Sequence, residues 1–266
     1  MSGARTAVVT VVHGRREHLA RQRASLARST TSYEHVVVAV DDPEVADSSV
    51  TVPPHPLGLP VATARNRGAA HALDRGATTL VFLDVDCLAA PDLVEAYADV
   101  VAEEPRTVWS GPVTYLDPRP PGGYDLAALG ALDAPHPARP APAPGERLAD
   151  ADPDLFWSLS FACSAEAWRA TGGFCEDYVG YGGEDTDFAR VVLAAGLDLG
   201  WVGAARAYHQ WHPVSRPPVE HVADIVRNAE VYRRRWGVVP MRGWLEAFEE
   251  RGLVRCDDDG RWLLSA

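Results

Sequence analysis

The chain has 266 residues, 47% of them hydrophobic, which is enough apolar material for one large α/β domain or two small ones. A net charge of -12, from 37 acidic and 25 basic residues, argues against a nucleic acid or anionic membrane held by general electrostatics, so an anionic ligand has to be met locally by a cation. Cys87, Cys163, Cys175 and Cys256 are widely spaced with no C-x-x-C pair. No run approaches the roughly 20 apolar residues of a membrane helix, and the N-terminus leads directly into a strand-like segment; together these predict a chain of the reducing cytoplasm without a transmembrane segment.

In chain order, residues 6–12 (TAVVTVV) form a β-branched run ending at His13-Gly14, and 17–28 carries Leu19, Arg23 and Leu26 at helical spacing. A second strand over 35–40 (HVVVAV) stops at Asp41-Asp42-Pro43, and 61–77 then has helix-forming composition. The third strand, 79–83 (TLVFL), is continuously apolar, as expected for a strand covered on both faces. It leads into Asp84-Val85-Asp86-Cys87, after which Pro91 opens a helix running to 104. This alternation predicts an α/β fold with a doubly wound, mostly parallel sheet and helices on both faces, where ligands sit at the carboxyl ends of strands. His13, Asp41 and Asp84 all fall at such ends.

From 117 to 154 proline and alanine dominate, which reads as a long, mobile surface loop. Order resumes at 155–163, followed by a short helix, the turn Gly172-Gly173, and a helix opened by Gly182-Gly183-Glu184-Asp185 and stopped at Gly196. A short strand is read at 199–202, and the tail reads as two helices over 219–236 and 240–251.

Three clusters carry chemistry. Asp84 and Asp86, two apart at a strand end, can point the same way while Val85 turns into the core. Such a pair suits a hard divalent cation, Mg²⁺ or Mn²⁺, that bridges phosphate oxygens; the plain alternative is a solvated strand end. Glu184, Asp185 and Asp187 at a helix N-terminus are equally read as dipole complements, favourable by ~0.3–1 kcal/mol each. The preceding Gly180-Tyr181-Gly182-Gly183 adds something, because glycines let a backbone approach a ligand and leave the carboxylates free to take a proton from a hydroxyl. His209-Gln210-Trp211-His212 holds either packed core histidines or imidazole ligands, which beside carboxylates favour Mn²⁺ over Mg²⁺. Arg65, early in the second helix, reads as a surface arginine or as a partner for a diphosphate oxygen. Trp109, Trp157, Trp201 and Trp211 are stacking candidates, most of them expected in the core.

Taken together, VVTVVHGRREHLARQRASL, VVVAVDD, ARNRGAAHA and FLDVDC resemble, in that order, the nucleotide-binding half of family 2 glycosyltransferases of the GT-A fold. The stretch FACSAEAWRATGGFCEDYVGYGGEDTDFARVVLAAG resembles the catalytic region shared by β-1,4-galactosyltransferases and polypeptide N-acetylgalactosaminyltransferases. The resemblance covers residues 5–213 except the proline-rich segment. It implies a nucleotide-sugar-binding half at 1–116, an acceptor and catalytic half at 155–215 and a C-terminal helical extension at 216–266.

It further implies a metal-dependent, inverting transfer from a nucleotide sugar, a UDP-sugar in the first place, to an acceptor hydroxyl, with Mn²⁺ as metal and Mg²⁺ as the alternative. Asp86 becomes a direct metal ligand, and Asp84 a ribose contact or a support for the metal. Asp41 would meet the base or ribose, and Arg65 the base or diphosphate. Asp185 matches the general base and Glu184 an acceptor-binding residue, while His209 first, and His212 three residues later, match the metal histidine. His13, Arg15, Val85 and Gly183 complete the implied donor site, with His13-Gly14-Arg15 replacing the family's usual asparagine or tyrosine-asparagine. Two rivals stay open. A sugar nucleotidyltransferase would carry a glycine-rich phosphate loop after the first strand, of which His13-Gly14-Arg15-Arg16 is a poor version, and a non-catalytic sugar-binding or scaffold protein would have lost the paired acids.

Overall fold

A computed structural model describes residues 5–45 and 47–265. The first strands are β1 (Thr6–Val12), β2 (Glu34–Val40), β3 (Val50–Val52) and β4 (Thr79–Leu83), joined through helices α1 (Arg16–Leu26) and α2 (Val61–Asp74). After β5 (Cys87–Ala89) come α3 (Leu93–Glu103), β6 (Thr107–Ser110), β7 (Val113–Tyr115), β8 (Arg147–Leu148) and β9 (Ser160–Ser164). The chain continues through α4 (Ala165–Thr171), α5 (Glu184–Ala194), β10 (Asp198–Val202) and β11 (Ala207–His209), then α6 (Val222–Trp236), α7 (Arg242–Glu249), β12 (Val254–Cys256) and β13 (Trp262–Leu264). Among the described residues no helix is long and apolar enough to cross a membrane.

The main sheet runs β3-β2-β1-β4-β9-β6-β10-β8. Its first four strands are parallel, as the strand-helix alternation predicts, and β6 pairs β10 in parallel. β9, however, lies antiparallel between β4 and β6. Alternate residues of each central strand feed opposite cores. Ala7, Val9, Leu80 and Phe82 join the cluster with Trp168, Phe174 and Phe188, whereas Val8, Val81 and Leu83 join the one with Leu93, Tyr97 and Trp109. That alternation is the signature of a sheet covered on both faces. Gly68 lets α2 lie close on the sheet, since a Cβ there would meet Val9 at 2.5 Å.

Three expectations need correction. On α1 the inward position read for Arg23 belongs to Gln22, which is fully buried, while Arg23 turns outward to Asp47 at 2.7 Å. Segment 117–154 is no free surface loop. Pro135 bridges Thr114, Leu129 and Arg139 are buried, and β8 adds an edge strand with Leu148 opposite Trp201. The C-terminal extension is not purely helical, because β12 and β13 form a hairpin against which α6 and α7 pack. A second small sheet, β5-β11-β7, has strands of three residues each, too short to show a period.

Candidate active site

The small sheet explains why the first and third chemical clusters meet. β5 begins right after the Asp84-Val85-Asp86 turn, and β11 pairs it antiparallel with His209 opposite Cys87, so strand register alone sets His209 beside Asp86. Both imidazoles, through Nε2, stand 3.5 Å from Asp86 Oδ2, and one ligand atom from each of the three residues lies within 4.8 Å of the others. Arg15 reaches the same carboxylate from the β1–α1 loop. Burial works against the charge of Asp86, but hydrogen bonds from His209 and His212 and the charge of Arg15 outweigh it and hold the carboxyl well below its ordinary value. Asp86 Oδ1 is buried without a partner. One carboxylate with an orphaned oxygen and two imidazoles form a donor set that fits a divalent cation.

The second cluster is joined to the first by Arg65, whose buried guanidinium donates to Asp84 Oδ1 at 3.0 Å and to Glu184 Oε1 at 3.1 Å while lying 5.1 Å over the Phe174 ring. Burial opposes its charge, and Asp84 and Glu184 more than compensate. Its donors are thereby directed at carboxylates, so Arg65 is a strut between the D-x-D turn and the Glu-Asp helix start. Gly183 takes the left-handed conformation as N-cap of α5 at φ 92°, which delivers Glu184 and Asp185 at a part-buried first turn. Burial first, and the neighbouring Glu184 charge second, push the Asp185 carboxyl up to about 7. Asp84 is also raised, mainly by burial, with Arg65 offsetting part of the effect.

Asp187, grouped with those acids by sequence, is fully buried instead. It accepts from Arg235 at 2.6 Å, Trp236 at 2.7 Å and Tyr178 at 3.1 Å, binding α5 to the end of α6. His13 and Asp41 end adjacent parallel strands, with His13 Nδ1 2.8 Å from the Val40 carbonyl and both side chains exposed. Gly14 N donates to Asp42 Oδ2 at 2.9 Å, so that amide is already committed. The Val85 side chain packs with Val12, Leu19 and Val37. Trp109 and Trp201 are core residues, Trp157 is half-buried, and Trp211 is exposed between the two histidines. Sequence reading missed Arg139, a buried guanidinium stacked 4.6 Å over Trp201 and 5.1 Å over Trp157, and no pattern in its proline-rich surroundings marks it.

Two solved structures share this arrangement of elements: GalNAc-T7, crystallised with UDP, GalNAc and Mn²⁺, at TM-score 0.57 and 15% identity over 95% of this chain and 60% of that one, and S. aureus TarS residues 1–349, at TM-score 0.54 and 12% identity over 85% and 64%. The chain has the GT-A glycosyltransferase fold. Within that fold, residues 153–221 match the family model described as the N-terminal domain of galactosyltransferase, a span that includes Glu184, Asp185, His209 and His212. Validoxylamine A glucosyltransferases from two subspecies of Streptomyces hygroscopicus, jinggangensis and limoneus, are each 30% identical over 92% of this chain. The chain spans 64% and 60% of the length of those relatives.

Proposed function

We propose that the chain is a metal-dependent, inverting glycosyltransferase that moves a sugar from a nucleoside-diphosphate donor, UDP-linked in first place, to an acceptor hydroxyl. One observation carries this reading above the rest. Arg65 bonds Asp84 and Glu184 at once, so the acids that suit a cation and the acids that suit a base stand one guanidinium apart. The glycosyltransferase relatives at 30% identity support the reaction class, and the UDP and Mn²⁺ of the GalNAc-T7 structure support the donor and the metal.

Asp86, His209 and His212 would hold the cation, Mn²⁺ by their imidazole content and Mg²⁺ as the alternative. A divalent cation there supplies Lewis-acid neutralisation of the charge on the departing diphosphate. The chain's residues do the rest. Asp185, poised near neutrality, takes the acceptor hydroxyl proton as that oxygen bonds to the anomeric carbon, while the bond from that carbon to the β-phosphate oxygen breaks and its electron pair leaves with the nucleotide. Glu184 and Asp84 fix the Arg65 strut, and Arg15 adds positive charge on the donor side. His13, Asp41 and the backbone at Val85 are assigned to the nucleoside, and Gly183 to close approach of the sugar. The nucleotidyltransferase rival is disfavoured because the loop after β1 has Gly14 as its one glycine, and the N–H of that residue is bonded to Asp42. Four unpaired cysteines favour the cytoplasm as its compartment.

A panel of UDP-, GDP- and dTDP-sugars with Mn²⁺ or Mg²⁺, scored for nucleotide release, tests the proposal. Release with one donor, abolished in Asp86→Ala, is the expected outcome; no release from any donor would instead favour a sugar-binding or scaffold role.

A further inference from the structure

Three amide side chains with no exposure, Gln22, Gln210 and Asn228, lie behind this site, and each is bonded to backbone that carries or braces its functional groups. On α1, Gln22 Nε2 faces the carbonyls of Leu83 at 3.4 Å, Asp84 at 2.7 Å and Cys87 at 3.1 Å, while the Thr10 hydroxyl donates to its Oε1 at 3.0 Å. Gln210, between the two histidines, donates its backbone N–H to the Asp86 carbonyl at 2.7 Å. Its side chain accepts from Arg21 Nε at 2.5 Å and donates to the His18 carbonyl at 3.2 Å. Both glutamines therefore tie the metal-side loops to the same helix. On α6, Asn228 Nδ2 faces the carbonyls of Val179, Tyr181 and Gly182 at 3.1, 3.1 and 2.9 Å, holding the glycine loop that ends in Glu184-Asp185.

Irregular loops leave carbonyls that need partners when buried, and an amide reaching several of them removes that cost and fixes the loop's path at the same time. None of the three touches a reacting atom. Resting on the assignment of Asp86, His209 and His212 as metal ligands and Asp185 as base, we infer that these amides are positioning residues with separable tasks: Gln22 and Gln210 set the metal ligands, and Asn228 sets the loop bearing the base.

Near-isosteric variants of the whole chain separate the tasks: Gln22→Met, Gln210→Met and Asn228→Leu, with Gln22→Asn, Gln210→Asn and Asn228→Ser taking the place of any that does not fold by thermal melting. Mn²⁺ alone is titrated calorimetrically, and amide hydrogen exchange is followed by segment. The glutamine variants are expected to weaken Mn²⁺ binding about 10- to 100-fold, as loss of a ligand's support does, and the Gln22 variant to speed exchange over 84–87. The Asn228 variant is expected to hold Mn²⁺ affinity within about twofold, as independent sites do. It should speed exchange over 179–185 and lower kcat by about 10²-fold at unchanged donor KM. Glutamine variants that bind Mn²⁺ as tightly as the unaltered chain, or an Asn228 variant that loses Mn²⁺ as they do, would overturn the inference alone. An unaltered chain that takes up no Mn²⁺ would overturn the metal assignment beneath it as well.

Discussion

At the D-x-D corner of the site Asp86 is surrounded by Arg15, His209 and His212, whereas at the other corner Asp185 is bonded to the Thr186 N–H and shares its helical turn with Glu184, whose charge opposes its own. The same side chain is therefore held far below its ordinary range in one place and pushed up to about 7 in the other. Two carboxylates with their proton affinities driven apart divide the labour of a reaction. One is held as an anion and suits a cation, and the other can accept a proton at neutrality.

Removing the low-affinity member breaks this contrast most severely. Asp86→Ala takes away the shared ligand and leaves Arg15, His209 and His212 facing one another without their counter-charge. Several kcal/mol of transition-state stabilisation leave with a lost metal, so transfer should fall by about 10⁴-fold, with Mn²⁺ uptake lost in calorimetry. Retention of near-normal turnover would dissolve the metal corner.

Asp185→Asn tests the other corner. Transfer should drop by about 10³-fold, within the usual contribution of a general base, while Mn²⁺ affinity is kept. In the unaltered chain the rate should rise with pH through about 7 and then level, because the charged form is the base; the asparagine variant should show no such rise. Stability runs the opposite way. The folded-state affinity of Asp185 is raised from 3.8 to about 7, so the folded chain holds a proton that the unfolded chain has released, and stability falls as pH climbs from about 4 to about 7. At pH 8 the penalty is complete, up to a few kcal/mol before solvent at this half-buried group screens part of it. Asp185→Asn should therefore melt higher than the unaltered chain at pH 8 and alike at pH 4, and a lower melting temperature at pH 8 would contradict the raised affinity.

The two histidines refine the metal corner. His209 is fixed by the β5–β11 register and stacks on Tyr115 at 4.5 Å, whereas His212 sits in the loop beyond the strand. His209→Ala is expected to weaken Mn²⁺ binding more than His212→Ala does, and by more than the about 10- to 100-fold that loss of a ligand's support costs. Equal losses in calorimetry would show that strand register is not what ranks them.

Much of this was legible because it is written in short stretches: the D-x-D turn after an apolar run, glycines before Glu184-Asp185, and the histidine pair. The three parallel strand-helix units were legible from period and length. What held the pieces in relation was not. The strands that bring His209 to Asp86 have three residues each, which leaves no period to read, and the Arg65 strut depends on where a long side chain turns once its helix is packed. Gln22 and Asn228 did leave a trace. Each lies on the buried stripe of its helix, Gln22 between Leu19 and Leu26 and Asn228 between Ile225 and Tyr232, and a polar side chain at a core position implies a bonding task.

Asp187 extends the contrast to a third carboxylate on the same helix, three residues from Glu184 and two from Asp185, yet with neither of their settings. It is fully buried, and its partners Arg235, Trp236 and Tyr178 are all donors, so its charge is matched and serves to fasten α5 to α6. Asp187→Asn keeps the volume and one acceptor oxygen but removes the charge opposite Arg235. Arg235 is half-exposed and can turn to water, so the loss should be about 1–3 kcal/mol, below the cost of stranding a fully buried ion, and visible as a lowered melting temperature. Turnover per folded molecule should change least of all the variants here, because Asp187 faces away from the reacting groups. A fall in kcat as deep as that of Asp185→Asn, in protein shown to be folded by its melt, would mean that the helix start acts as one acidic cluster and that the division between tuned and structural carboxylates on α5 is wrong.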